Sequence, residues 1–310
     1  MKWQDKARVM QICANLPKGD NLYKLLQSTF GRLNDNPLSR INMQAEMTRW
    51  IRQQDMPLKD CTVFEVGTGH KPVVPIGFFL SGVDKVITVD LNRRLDFNLL
   101  KKTLLWMVLN RQYIESIYNK FTHSTVLNQR LNLLQKLQDK PQQFLVEANI
   151  QYLAPTDAAA TRLHNNSVDY HISTTVLEHI PINIIKNIFV EAKRILKNNG
   201  AVIHFIDLSD HFQHQDKSIN KINFLQYSEE EWLKLAGNQF AYCNRLRASE
   251  FVHIFNDLSF KTIRSEIEVD NESIISINNS FMVNNKFSHY RVDDLCTVAL
   301  KLMLSKTKSR

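Results

Sequence analysis

The spacing of apolar residues switches from helical to strand-like near residue 58, and that switch divides the chain. Ahead of it, Leu22, Leu25, Leu26 and Phe30 recur at helical spacing, with Gly19-Asp20-Asn21 as turn and N-cap and Gly31 as the stop. A second helix is expected over 41–54, ending before Pro57. Past the switch, Cys61-Thr62-Val63-Phe64-Glu65-Val66 is a short β-branched run leading into Gly67-Thr68-Gly69. A helix from Pro72 or Pro75 to Leu80 and a strand over 86–90 complete one βαβ unit.

Residues 91–147 are too many for a simple crossover helix. Their periodicity predicts helices over 99–109, 113–121 and 126–137, read as an inserted helical subdomain that serves as a lid, an oligomer contact or both. Strands follow over 149–153, 168–174 and 201–206. A helix over 184–196 is expected to be capped by Asn198-Asn199-Gly200. Helices over 230–235 and 249–258 precede two last strands, 260–269 and 295–304, with a polar insert between them. The expectation is an N-terminal helical region, 1–58, followed by one α/β domain, 59–310, with the insertion at about 91–147.

Composition narrows the class only a little. No apolar run approaches the roughly 18 residues a membrane span needs. The polar start, Met1-Lys2-Trp3-Gln4-Asp5-Lys6, does not read as a secretory leader, so a cytoplasmic location is expected. Cys13, Cys61, Cys243 and Cys296 form no C-x-x-C pair, which removes zinc-knuckle and redox motifs and points to free buried thiols. The net charge of +8 raises the question of a polyanion. The basic residues are dispersed, however, and no nucleic-acid partner is expected. Oligomeric state is not legible.

The chemistry concentrates at Glu65-Val66-Gly67-Thr68-Gly69 and at Asp90, which closes the next strand. A glycine turn at the carboxyl edge of a parallel sheet admits close backbone approach by a nucleotide, and an acid after the second strand suits a pair of ribose hydroxyls. A dinucleotide fingerprint would continue to a third glycine; here the chain reads His70-Lys71-Pro72-Val73-Val74. A carboxylate at Glu65 would also repel pyrophosphate, whereas it would favour a cationic ligand.

On these residues the chain resembles the class I S-adenosylmethionine-dependent methyltransferase family, from Thr62 to the C-terminus around the insertion. The resemblance implies a Rossmann-like, mostly parallel seven-stranded sheet with an antiparallel last strand. It also implies S-adenosyl-L-methionine as cofactor, with Glu65, Gly67, Thr68 and Gly69 as the first motif and Asp90 on the ribose. Asp157 and Ala158 of Pro155-Thr156-Asp157-Ala158 match the adenine-contacting position, although Asp157 could equally cap a helix. Thr174 lies in the fourth-strand motif, which runs from Ser167-Val168-Asp169 to Leu177-Glu178-His179-Ile180, and Glu191 to Gly200 match the helix and turn before the fifth strand.

After that fifth strand comes the densest run of ionisable groups in the chain, His204-Phe205-Ile206-Asp207-Leu208-Ser209-Asp210-His211-Phe212-Gln213-His214-Gln215-Asp216. Acceptors enter such folds at the carboxyl ends of the strands. His211 with Asp207 is therefore the candidate base, because imidazole titrates near neutral pH. His179, Asp210, His214 and Arg245 are candidate acceptor contacts, and Tyr242, Asn244 and Arg247 are further polar groups in reach. No metal ligand set is assigned. A divalent metal orienting a diol and a merely solvated loop are the alternative readings of the segment.

Two acceptor classes are disfavoured. Ser173-Thr174-Thr175-Val176-Leu177 lacks the paired prolines of amino-methylating DNA enzymes, and no proline precedes a cysteine as in cytosine-C5 enzymes. O-methylation of a hydroxyl on a small molecule, glycan or lipid-linked sugar is the first expectation. A nicotinamide-dependent oxidoreductase and a non-catalytic adenosylmethionine-binding protein are the alternatives.

Overall fold

The computed structural model describes residues 2–17, 19, 22 and 36–307; the helix expected over 22–30 lies outside the described residues, apart from Leu22. Seven strands form one sheet: β1 Thr62–Val66, β2 Lys85–Val89, β3 Ile150–Leu153, β4 Val168–Thr174, β5 Leu196–Asp207, β6 Phe260–Val269 and β7 Thr297–Lys306. Their order is β3-β2-β1-β4-β5-β7-β6, with β1 to β5 parallel and β7 antiparallel to both its neighbours. The sheet expected from the sequence is the sheet present.

Period-two alternation sorts the strands' side chains onto two faces. Val63, Val86, Ile203 and Phe205 join the core beneath the helices Leu38–Gln53 and Val73–Leu80. Phe64, Ile87, Val89 and Ile206 face the other way, against the helices Ile182–Ile195 and Ala248–Asp257. The long β2–β3 connection folds as four helices, Phe97–Leu109, Arg111–Tyr118, Ser124–Leu137 and Pro141–Glu147, whose Leu100, Leu104, Ile114, Leu131 and Phe144 share the first of these cores. Helix Leu38–Gln53 docks through a buried polar knot in which Gln44 donates to Thr48 at 2.7 Å and accepts from the Tyr118 hydroxyl at 2.9 Å. Gly77 makes room for that knot, since a Cβ there would collide with the Gln44 side chain.

A third, smaller core joins the ends of the chain to the segment after β5. Trp3, Ala7 and Met10 of helix Trp3–Asn15 pack with Phe212, Phe224 and Trp232, and the Trp3 backbone N–H donates to Asp216 at 2.8 Å. The loop after β5 is thus fastened from behind.

One local expectation is corrected. Asn198-Asn199-Gly200 does not cap a helix: helix Ile182–Ile195 passes directly into β5, with Leu196 extended at φ −68 and ψ 135. Gly200 is needed for close approach instead, because a Cβ there would stand 2.6 Å from the Asp169 carbonyl oxygen. The polar stretch between the last two strands also holds a helix, Asn271–Asn279.

Candidate active site

β1 and β2 end level, Val66 pairing with Val89, so the glycine turn and Asp90 emerge side by side. Gly67 and Gly69 have φ of +86 and +67, a region that disfavours side chains. A Cβ on Gly67 would in addition meet Val176 at 2.6 Å, whereas one on Gly69 would meet nothing within 4 Å. The turn is tied down on both sides: Gly67 N–H donates to the Val89 carbonyl at 2.9 Å, and Gly69 N–H to the Asp90 carboxylate at 3.1 Å.

Two acids stand in this mouth at unfavourable burial. Glu65 is 2% exposed, and burial lifts its carboxyl to about 8 despite a hydrogen bond from Thr88 at 2.5 Å. Burial also lifts Asp90 to about 6, against the Gly69 N–H that favours its ionised form. The Tyr152 hydroxyl approaches Asp90 at 3.5 Å. Thr68 joins through its hydroxyl, 2.5 Å from that of Thr88. A cationic ligand in this mouth would favour the ionised form of both carboxyls. The turn carrying Asp157 is held beside Asp90 by a bond from Thr156 N–H to the Asp90 carbonyl, 2.9 Å. Asp157 itself is exposed and accepts from Ala159 N–H at 2.8 Å, while Ala158 is buried in the core that holds Val66 and Val89.

The far side of the mouth is built from β4 and β5. Thr174 ends β4, and the next residue, Thr175, sits at φ +51, a strained value for a β-branched residue. Arg40, from helix Leu38–Gln53, holds both: its guanidinium donates to the Thr174 carbonyl at 2.8 Å and to the Thr174 and Thr175 hydroxyls at 2.7 Å each. Burial lowers the Arg40 pKa, and the fields of Glu65 and Glu178 oppose that change. One cation thus senses acids on both sides of the mouth. Sequence reasoning missed Arg40, whose partners lie 134 and 135 residues away.

Beyond Thr175 the chain makes a short 3-10 turn, Leu177–His179, that faces the loop after β5. Glu178 is 1% exposed, and neither of its carboxylate oxygens has a hydrogen-bond partner. Burial lifts it to about 8, partly offset by the charge of His211. His211 Nε2 lies 3.4 Å from Asp207, and His214 Nε2 lies 3.6 Å from the same oxygen. Burial works against the His211 imidazolium, but Asp207, Glu178 and Asp210 outweigh it and raise the pKa. Burial works against the Asp207 carboxylate in turn, and bonds from His211 and Ser209 bring it down to about 2. The rings of His179 and His211 stand 4.8 Å apart, centre to centre. Loss of solvation around its ring and the neighbouring His211 charge bring His179 down to about 4, so it is neutral at pH 7, although the residue as a whole stands exposed at the rim.

Residues 242–244 serve this wall from behind. The Tyr242 carbonyl takes a hydrogen bond from His179 Nδ1 at 2.9 Å, and Asn244 Nδ2 donates to the Leu177 and Ile180 carbonyls at 2.8 and 2.9 Å. The structure therefore gathers Glu65, Gly67, Thr68, Gly69, Asp90 and Thr174 at one mouth and His179, Asp207, His211 and His214 at its rim.

It does not gather Asp210 and Arg245. Asp210 is 1% exposed and accepts from Asn223 Nδ2 at 3.0 Å and Phe212 N–H at 2.9 Å, which braces the loop. Arg245 is 2% exposed, and its guanidinium is occupied by the carbonyls of Phe224 and Tyr227 at 2.9 and 2.7 Å and by Glu229 at 2.7 Å. Arg247, wholly buried, donates to the Leu208 and Leu295 carbonyls. These arginines are frame, since a buried guanidinium must use its donors locally.

Residues 110–204 match a family model described as a methyltransferase domain. No curated protein matches the chain. Among solved structures it is similar to magnesium protoporphyrin IX methyltransferase from Synechocystis PCC 6803 with bound S-adenosylhomocysteine, at 12% identity over 88% of this chain and 85% of that one, TM-score 0.45. It is also similar to geranyl diphosphate C-methyltransferase from Streptomyces coelicolor A3(2), at 9% identity over 84% and 77%, TM-score 0.48. A third is phosphoethanolamine N-methyltransferase 2 from Haemonchus contortus, at 16% identity over 85% and 53%, TM-score 0.44. With TM-scores below 0.5 and different acceptors, these likenesses do not bear on this chain's chemistry. What the chain does share is a stretch, residues 110–204, similar to a methyltransferase domain, and a sheet order that is Rossmann-like with an antiparallel last strand.

Proposed function

We propose that the protein methylates a hydroxyl oxygen of a small molecule, glycan or lipid-linked sugar, with the donor against Glu65, Gly67–Gly69 and Asp90 and the acceptor against the rim of His179, Asp207, His211 and His214. The observation that carries this reading is the Asp207–His211 pair, 3.4 Å apart, beside the mouth at the ends of β4 and β5. In the reaction the acceptor oxygen attacks the sulfonium methyl carbon in line, the C–S bond breaks and a neutral thioether leaves. The hydroxyl proton must go elsewhere, and the Asp207–His211 pair is placed to receive it. Asp90 accepts from the ribose hydroxyls, and Glu65 faces the cationic end of the donor.

His214, 52% exposed at its side chain, is assigned to the acceptor rather than to proton transfer. The four cysteines are free and buried, as suits the reducing cytoplasm in which we place the enzyme. Among the described residues no helix is long and apolar enough to cross a membrane. The test is release of S-adenosylhomocysteine from a panel of hydroxylated, amino and carbon acceptors. Methylation of a hydroxyl compound that fails in His211→Ala supports the reading; turnover confined to amines or carbon nucleophiles defeats it.

A further inference from the structure

Glu178, His179 and His211 bring one ligand atom each to within 4.8 Å of one another. Two features set this group apart from an ordinary ion pair. Glu178 is 1% exposed, yet both its carboxylate oxygens lack a hydrogen-bond partner, while His211 Nε2 has only the long contact to Asp207 at 3.4 Å. A buried carboxylate beside an imidazole would normally satisfy itself by bonding to it, because a buried unpaired carboxyl is costly. These groups instead converge without touching.

The second feature is the orientation of His179. Its Nδ1 donates to the Tyr242 carbonyl at 2.9 Å, which fixes the neutral tautomer and leaves Nε2 as a bare lone pair. A backbone carbonyl holding the remote N–H is the usual outer support of a metal-bound imidazole.

We propose that Glu178, His179 and His211 form a binding site for one divalent first-row transition cation. Two imidazoles and a carboxylate suit zinc, cobalt, manganese or ferrous iron and are a poor set for magnesium. Donors about 2.1 Å from a cation stand roughly 3–4 Å apart, so the side chains need to close by only about 1 Å. His179 is exposed at the rim, which leaves the outward coordination positions for solvent or an acceptor. A cation there would act as a Lewis acid on an acceptor hydroxyl and lower its pKa, and His211 would then serve as a ligand in place of the base role proposed above. The binding itself does not depend on the acceptor chemistry proposed above.

The experiment is a titration of cobalt(II) into the untagged, chelator-treated full-length protein, with neither donor nor acceptor present, followed by visible d–d absorption and calorimetry. One saturable cobalt per chain is expected, displaced by zinc and not by magnesium. His179→Ala and Glu178→Gln should each weaken it by at least about tenfold, as removal of a direct ligand must when loss of an outer support already costs about 10–100-fold. His253→Ala, a change at an exposed histidine, should leave it unchanged. Glu178→Gln removes only the buried charge, so its thermal stability should match or exceed that of the parent and a folding defect will not obscure the result. No saturable uptake, or uptake indifferent to Glu178→Gln and His179→Ala, would overturn the proposal while leaving the Asp207–His211 base untouched. Failure of the base reading would show only in turnover, which the titration does not measure.

Discussion

The two sides of the mouth are built on different plans. On the β1–β2 side, backbone does most of the shaping. Two left-handed glycines and a level pair of strand ends set two acids in place, Asp90 held by Gly69 and Tyr152 and Glu65 by Thr88. On the β4–β5 side, side chains from a short turn and a loop converge, and both carboxylate oxygens of Glu178 stay unpaired. The first side is fixed by geometry that almost any ligand-binding member of the fold must share. The second depends on side chains, and it is where the proposed function seats the acceptor.

If that division is real, the sides will separate under mutation. The largest effect is expected from His211→Ala, which should lower turnover by about 10²–10⁴-fold while S-adenosylhomocysteine affinity, read by calorimetry, stays within about twofold. A parallel loss of both would fuse the sides into one unit. Asp90→Ala should do the opposite, weakening cofactor binding by about 1.5–3 kcal/mol, the range for a lost hydrogen bond to a charged group. Unchanged affinity would take Asp90 out of the pocket.

Gly67→Ala probes the shaping role of backbone. It should destabilise the fold by about 1–3 kcal/mol through its φ of +86 and the contact with Val176, measured by chemical denaturation. Adding Val176→Ala should recover the contact but not the backbone part of that cost. Full recovery would mean that only side-chain space matters at the turn.

The smallest effect concerns Glu65 and pH. Its carboxyl titrates near 8 when buried, against an ordinary value of 4.5. The folded state therefore keeps a proton that the unfolded chain has released, so this group's contribution to stability is full below 4.5 and is lost as pH rises through 8. Glu65→Gln should melt at nearly the parent temperature at pH 5 and a few degrees above it at pH 8.5, at about 2–4 °C per kcal/mol for a chain of this size. It should also bind the cofactor less well at both. A pH-independent difference in melting would show that Glu65 is not buried as described.

The same contrast explains what the sequence revealed. The β1–β2 side was legible because its parts are contiguous: strand, Gly67-Thr68-Gly69, and an acid at the end of the next strand. Periodicity likewise located all seven strands, with ends within two residues except at β5, which begins at Leu196 and not at 201. On the other side only Asp207, His211 and His214 stood out, as a dense polar run. Glu178 lay in full view in Leu177-Glu178-His179-Ile180, but its burial without a partner is a three-dimensional fact. Arg40 left no trace, since a surface-looking arginine in an amphipathic helix gives no sign of a partner at Thr174. Asp210 and Arg245 misled for the converse reason: polarity near a strand end does not reveal which way a side chain turns. Asn198-Asn199-Gly200 looked like a helix stop because glycine serves both αL caps and close strand contacts, and only the Asp169 carbonyl decides between them.

A structure of the protein with S-adenosylhomocysteine bound tests the central claim most directly. The ribose hydroxyls should bond to the Asp90 carboxylate, the amino-acid end should lie against Gly67–Gly69 near Glu65, and the sulfur should face the His211 rim. A nucleoside seated elsewhere, or Glu65 and Asp90 both free of contact with it, would contradict the account.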